Sequence, residues 1–457
     1  MFIRFRPRPS LLTGLLVLAF TAPLRAETGQ LDSALSTPGW LTVTGSYRLR
    51  YEWMDNTFRA IDPGTDDLLV SRLRLKAEAR SERFRAGIEF QDSRGWLADQ
   101  LTPVGTGSIN AAEPLQIYVG MQGQDWFGDG DSVDITLGRF TFGTGSNRFI
   151  GEHIYRNTRQ GHDGIRAVWA LRDGPRLQGF FTNPVQRLPF DRSGILNNEI
   201  EFDEALSTRF WGVHADRLAL GELDGELYLY GLEESGRGLG FQNRDLLTLG
   251  ARLSDNRGSL TWEVETAYQF GDRRDVLQEG TPQVDHEALM LHAHIARQFD
   301  VAWRPEIELR YDYSTGDEDP EDGNSGRLDV LFGPLRFDFG PTSIYTGMTR
   351  SNINSPGLYA NLFPRDNMVW MTGYRAIWMT EKRDFYGRSG LRDVTGQSGS
   401  FAGGQIETRY RWEIVPGSFR FEAGGALLIK GEFLKDAPLA PDTGNTIYIY
   451  SNVLFWF

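Results

Sequence analysis

The chain has 457 residues, no Cys, 12 % aromatics and a net charge of −13. The lack of Cys excludes disulfide staples and thiolate metal sites, and the acidity argues against nucleic acid as a partner. Only Lys76, Lys382, Lys430 and Lys435 are Lys, so 44 of the 48 basic residues are Arg, the side chain that grips carboxylates and phosphates bidentately.

Arg4, Arg6 and Arg8 precede an apolar run from Leu11 to Phe20 and a short stretch ending at Ala26. That order predicts a cleaved leader over 1–26, its apolar run being too short for a membrane helix. Its removal, with four Arg and no acid, takes the charge to −17. A short periplasmic segment is expected over 27–39. No linker divides the remainder, so 40–457 is expected to be one domain.

From Trp40 to Trp53 the chain alternates. Leu41, Val43, Tyr47, Leu49 and Tyr51 fall on one face; Thr42, Thr44, Ser46, Arg48, Arg50 and Glu52 fall on the other. Leu69, Leu73, Leu75 and Ala77 repeat the pattern against Arg72, Arg74, Lys76 and Glu78, and Phe84, Ala86, Ile88 and Phe90 repeat it against Arg85, Glu89 and Gln91. A period of two predicts strands. Further strands are expected around 114–122, 133–140, 163–171, 176–183, 208–217, 222–232, 246–254, 259–270, 287–298 and 302–313. After these come 342–349, 367–380, 403–413, 418–430 and 446–457.

Connections alternate between short turns, such as 173–175 and 415–417, and long polar loops, such as 141–162, 184–207 and 314–341. No later apolar run is long enough for a helical span, so a membrane location requires a closed barrel. The chain closes on Phe455-Trp456-Phe457, which suits either a buried strand of a soluble sandwich or the last strand of a barrel. The loop rhythm favours the barrel. The expected fold class is all-β: a single transmembrane antiparallel up-and-down β-barrel of eighteen strands, sixteen being the alternative, in the bacterial outer membrane.

In such a barrel the charged faces line the lumen. Arg48, Arg50, Arg72, Arg74, Lys76, Arg304, Arg310, Arg409 and Arg411 would share it with Glu52, Glu78, Glu89, Glu263, Glu265, Glu306, Glu308 and Glu407. A basic belt between low-dielectric walls selects anions even in an acidic protein. Arg–Glu pairs across strands would stiffen the wall, and both uses are expected. No GxSxG, HExxH or phosphate loop is present, so no enzyme and no cofactor are expected. His292 and His294 share a strand face but lack a third ligand in the sequence, and no metal site is assigned. The acidic stretch Asp317 to Gly323 reads as a solvated outer loop, since no Glu stands at the calcium-loop spacing from Asp317.

Several stretches together resemble the alginate export family of outer-membrane proteins. They are Gly87 to Arg94; Leu137-Gly138-Arg139 with Gly143, Gly145, Arg156 and Arg159; Asp163 to Arg166; Ser314 to Pro320 with Leu331-Phe332; and Gly404 to Glu407 with Arg409, Arg411 and Gly431 to Lys435. The resemblance spans about 40–457. It implies an eighteen-stranded porin whose Arg-rich constriction passes a polyanionic uronate chain. It further implies that Arg139, Arg159, Asp163 and Arg409 are constriction residues, with Arg74 and Arg411 near them. Parity sets Arg139 with Val133, Ile135 and Leu137, so an inward role requires a bulge near Gly138. Phe140 stands where the family usually carries Gln or Glu.

The expected cargo is anionic polysaccharide moving outward, the alternative being uptake of smaller organic anions or oligouronates. An outer-membrane enzyme or a purely structural barrel is the reading from another class. Expected partners are outer-membrane lipid, the barrel-assembly machinery through the terminal strand, and periplasmic secretion proteins.

Overall fold

The computed structural model describes residues 31, 35–61, 64–205, 207–235, 243–274 and 282–457. The predicted leader lies outside them. Eighteen strands form one wall. The first six are β1 (Leu41–Asp55), β2 (Thr65–Arg80), β3 (Phe84–Trp96), β4 (Asn110–Gln124), β5 (Ser132–Phe140) and β6 (His162–Ala170). Next come β7 (Arg176–Gln186), β8 (Arg209–Leu220), β9 (Leu223–Glu233), β10 (Asp245–Arg257), β11 (Leu260–Arg274) and β12 (Gln283–Gln298). The last six are β13 (Glu306–Ser314), β14 (Ile353–Arg365), β15 (Met368–Trp378), β16 (Phe401–Val415), β17 (Phe419–Lys430) and β18 (Thr446–Trp456).

Each strand pairs antiparallel with its chain neighbour. β18 then returns to β1, with Trp456 opposite Ser46 and Ile447 opposite Asp55. The hydrophobic ending of the chain is thus the seam that closes the barrel, where it satisfies the edge of β1. Every second residue points outward and apolar: Ile88, Ile117, Leu137, Ile165, Leu249, Leu309 and Leu358 are all exposed. A ring of aliphatic side chains left in the open on every side is the surface a bilayer covers. The short connections fall on the side of the chain termini and the long loops on the other, the rhythm expected of an outer-membrane barrel.

One strand sits elsewhere than predicted. The stretch 342–349 is not a strand. Ser343 and Thr346 hold left-handed φ values of 69° and 33°, which a strand does not tolerate, and Ile344, Tyr345 and Met348 are buried together inside the barrel. The wall strand is β14, which the sequence disguises with Pro356, Gly357 and Pro364. The count of eighteen survives the exchange.

Two long loops turn inward rather than away. Loop 141–161 and loop 315–352 meet in a parallel bridge between Ile150 and Phe332. Phe149, Ile150 and Leu328 pack on inward-facing Phe210, Tyr228 and Tyr230 of the wall. A second apolar cluster joins Phe339, Ile344, Tyr345 and Met348 of the longer loop to Met54, Phe433 and Tyr448. These contacts narrow the lumen, and the polar space left between loops and wall is where the charged residues gather.

Candidate functional site

Loop 141–161 is held by arginines of β1 and β2. Arg48 donates from Nη1 to Tyr155 O at 2.9 Å and from Nη2 to Arg156 O at 2.8 Å. Arg72 Nη1 donates to Arg156 O at 3.0 Å, and Arg50 Nη1 to Tyr155 O at 2.7 Å. Asn157 completes the anchorage by donating to Ser71 O and Ser108 O. Arg50 also pairs with Glu52 at 2.7 Å. Arg48 and Arg72 are bound through their Nη groups by neutral carbonyls instead, which leave their charge uncancelled, and the Nε of each is buried without a partner.

The inserted loop 315–352 carries a one-turn helix, α1 (Arg336–Phe339). Arg336 donates to Tyr450 Oη at 2.9 Å and lies 4.4 Å from the Tyr155 ring, whose other neighbour is Arg50 at 4.5 Å. Burial alone would lower the Arg336 pKa, but Tyr450, Tyr155 and Glu422 outweigh it and hold the guanidinium protonated. Two residues on, Asp338 reaches the far side of the lumen. It accepts from Arg148 Nε at 3.2 Å and pairs with Arg350. Burial would raise its pKa, yet Arg148 and Arg350 hold the carboxyl well below its ordinary range. The short helix is therefore pinned across the barrel by an ion at each end.

Among the described residues, two adjoining chambers between loops and wall are rich in basic side chains. One, of about 240 Å³, is lined by Arg48, Arg72, Arg74, Arg159, Arg336, Arg409, Arg411 and Arg420, with Glu422 as the single acid. Glu422 is shared: it accepts from Arg411 Nε at 2.9 Å and stands 3.9 Å from Arg336. The other chamber, of about 230 Å³, is lined by Arg74, Lys76, Arg85, Arg159 and Arg166 with Glu89 and Glu152. Arg74 and Arg159 belong to both and join them. Each has one carboxylate partner, Glu89 for Arg74 and Glu152 for Arg159. Burial and then the neighbouring Arg74 lower the Arg159 pKa to about 10, which leaves it cationic at neutral pH. Arg420 likewise pairs with Glu413, so the eight guanidinium groups of the first chamber meet four carboxylates, Glu89, Glu152, Glu413 and Glu422, and the local balance is positive.

Of the residues expected at the constriction, Arg74, Arg159, Arg409 and Arg411 come together here, with Arg48 and Arg72 behind them. Lys76 joins the second chamber, and Arg50 is buried behind Tyr155. Arg310 lies on the far wall, pairing with Glu308 at 2.7 Å and donating to Phe337 O. Arg304 leaves the lumen. β13 starts only at Glu306, Arg304 takes a φ of 39° in the preceding turn, and its partner is Asp366 of the next turn on that side.

Arg139 and Asp163 also stand apart. They face each other across β5 and β6 at 2.8 Å, at the outward parity of Leu137 and Ile165, and neither lines a chamber. The β5–β6 register runs unbroken through Gly138 and Gly164, so no bulge turns Arg139 inward. Both positions take positive φ and admit only glycine, because a Cβ at either would stand 2.4 Å or less from a carbonyl oxygen of the next strand. Arg139 further binds Glu113 at 2.8 Å and Asp203 O at 3.3 Å, tying loop 187–208 to the wall.

Sequence reasoning missed Tyr155, Arg166, Arg336, Arg420 and Glu422. Arg336 sits in Gly333-Pro334-Leu335-Arg336-Phe337-Asp338-Phe339-Gly340, where breakers at both ends mark a compact turn, but nothing periodic marks it as facing the lumen.

Solved structures that this chain resembles include the outer membrane protein OpdK of Pseudomonas aeruginosa. OccAB3 of Acinetobacter baumannii superposes with a TM-score of 0.57 at 13 % identity, covering 91 % of this chain and 99 % of that one. OpdO of Pseudomonas aeruginosa gives 0.55 at 12 %, covering 91 % and 97 %. OpdK of Pseudomonas aeruginosa, solved with vanillate, gives 0.56 at 11 %, covering 91 % and 99 %. At such identities the likeness shows a common fold. No curated protein matches the sequence. The sequence profile described as alginate export matches residues 39–445, nearly the whole barrel. This closed eighteen-stranded barrel is an outer-membrane porin, and the chain belongs to the alginate export family.

Proposed function

We propose that this porin passes an anionic polysaccharide of the uronate type, outward, along the two arginine-lined chambers. The observation that carries the reading is the first chamber, where eight Arg converge on one space and outnumber the carboxylates paired with them by four. A uronate chain presents one carboxylate per sugar, and guanidinium forks bind carboxylates bidentately without holding any one sugar permanently. Arg74 and Arg159, common to both chambers, would hand a carboxylate from one to the next, with Arg409 and Arg411 as its partners in the first. Successive weak sites of this kind allow both capture and release. The terminal strand is the proposed recognition element for the barrel-assembly machinery, and the short-turn side would face periplasmic secretion partners.

A second reading is uptake of smaller organic anions. The size of the chambers favours it: with the loops inserted, each holds a volume suited to one sugar or one small acid. Titration of single channels with oligouronates of increasing length separates the two. Block that tightens with each added sugar supports passage of a polymer. Equal block by monomer and oligomer supports small-anion uptake and removes the polysaccharide reading.

A further inference from the structure

We propose that Glu263, His292 and His294 form a binding site in the lumen wall for a divalent transition-metal ion of the zinc class. Glu263 on β11 lies opposite His294 on β12, and Glu265 lies opposite His292, so the register supplies the third ligand missing from the histidine pair alone. One ligand atom from each of the three residues falls within a 4.8 Å set. Glu263 Oε1 stands 3.3 Å from His292 Nε2 and 3.4 Å from His294 Nδ1. Tetrahedral bonds of about 2.05 Å separate neighbouring ligand atoms by about 3.3 Å, so the side chains need little rearrangement to close on an ion.

The surroundings fit a metal. His292 Nδ1 is 2.7 Å from Asp312 Oδ1, which holds a proton on Nδ1, so Nε2, 3.3 Å from Glu263 Oε1, is the nitrogen that would turn to an ion. That Nε2 is buried and makes no hydrogen bond. A carboxylate behind a ligating histidine is the arrangement that orients imidazoles on zinc.

Glu263 is itself braced by Arg148 at 2.6 Å and by Arg252 Nε at 2.8 Å, and Arg148 retains Glu265 and Asp338 if an ion draws Glu263 away. Around the site Arg148, Arg252, Arg310, Arg350 and Arg375 face Glu226, Glu263, Glu265, Glu308, Asp312 and Asp338, Arg310 standing directly opposite His294. Five positive charges against six negative leave room for a cation. His294, about one-fifth exposed, opens the site to the lumen. A bound ion would clip β11 to β12 and, through Asp312 and Arg148, brace the inserted loops.

The test is titration of the full-length chain, refolded in detergent and stripped by chelator, with Co²⁺ read by its ligand-field absorption. Zn²⁺ competition follows. The expected result is one ion per chain with the intense bands of a four-coordinate site, displaced by Zn²⁺. His294→Gln should abolish those bands, and Asp312→Asn should weaken affinity about 10- to 100-fold. His286→Gln, outside the trio, should leave binding intact, and heat-shifted gel mobility checks that each variant is folded. Absence of Co²⁺ binding to the folded wild-type chain, or equal binding by folded His294→Gln, overturns the proposal.

Discussion

Replacing Arg409 by Gln removes one charge from the first chamber without adding an acid beside Glu422. The lining carries eight Arg, and Glu89, Glu152, Glu413 and Glu422 pair with members of the set, a balance of +4, which the substitution lowers to +3. A permeating carboxylate about 5 Å from the lost guanidinium, in a water-like medium, forfeits about 0.8 kcal/mol, or about fourfold in occupancy. The assay is the reversal potential of single channels in a potassium chloride gradient at about 0.1 M, where the Debye length is about 10 Å. Anion preference should fall about fourfold, and the difference from wild type should shrink at 1 M salt. Arg304→Gln is the control, because that residue pairs with Asp366 in a turn outside the lumen. Equal losses from both variants, or none from Arg409→Gln, would refute a local field in the chamber as the source of selectivity.

Three more outcomes follow from the loop anchors. Tyr155→Leu removes a ring held between Arg50 and Arg336 and should loosen loop 141–161 against α1 while its backbone anchors to Arg48, Arg50 and Arg72 remain, with each lost cation–π contact worth about 0.5–2 kcal/mol. Noisier and larger single-channel currents would report it. Asp338→Asn leaves Arg148 and Arg350 without their shared carboxylate, a loss of about 3 kcal/mol or more, and should expose loop 315–352 to protease. Because the folded pKa of Asp338 is depressed, its stabilisation is complete above about pH 4 and is lost only as pH falls below that value. Wild-type currents should therefore stay quiet from neutral pH down to about 4. Arg139→Ala should loosen loop 187–208 and lower the thermal midpoint while leaving the reversal potential unchanged, since Arg139 holds Asp163, Glu113 and Asp203 outside the chambers.

The wall was legible because a barrel strand writes its environment in every second residue. Leu49 and Tyr51 against Arg48 and Arg50 already separate lipid from lumen, and the terminal strand announces closure by the same rule. The rule fails where local chemistry breaks the alternation. Pro356, Gly357 and Pro364 hid β14, and the apolar 342–349 imitated a strand because its side chains fill the lumen rather than face lipid. Arg304 looked inward only by extending β13 through a turn that the left-handed φ of Trp303 and Arg304 creates. The chamber was half legible. Its wall residues Arg74, Arg409 and Arg411 follow strand parity, whereas Arg159 was reached by family resemblance. Tyr155 and Arg336 arrive on inserted loops, whose inward turn depends on contacts such as Arg48 to Tyr155 O that join residues about a hundred positions apart. Arg139 shows the converse: strand parity kept it on the outer face, and no bulge displaces it.

The most direct measurement is the ion preference of the purified wild-type channel in a planar bilayer at neutral pH. A reversal potential of the sign set by chloride, with current blocked more tightly by longer oligouronates, is the predicted result. Cation selectivity, or a current indifferent to oligouronates of every length, would contradict the account.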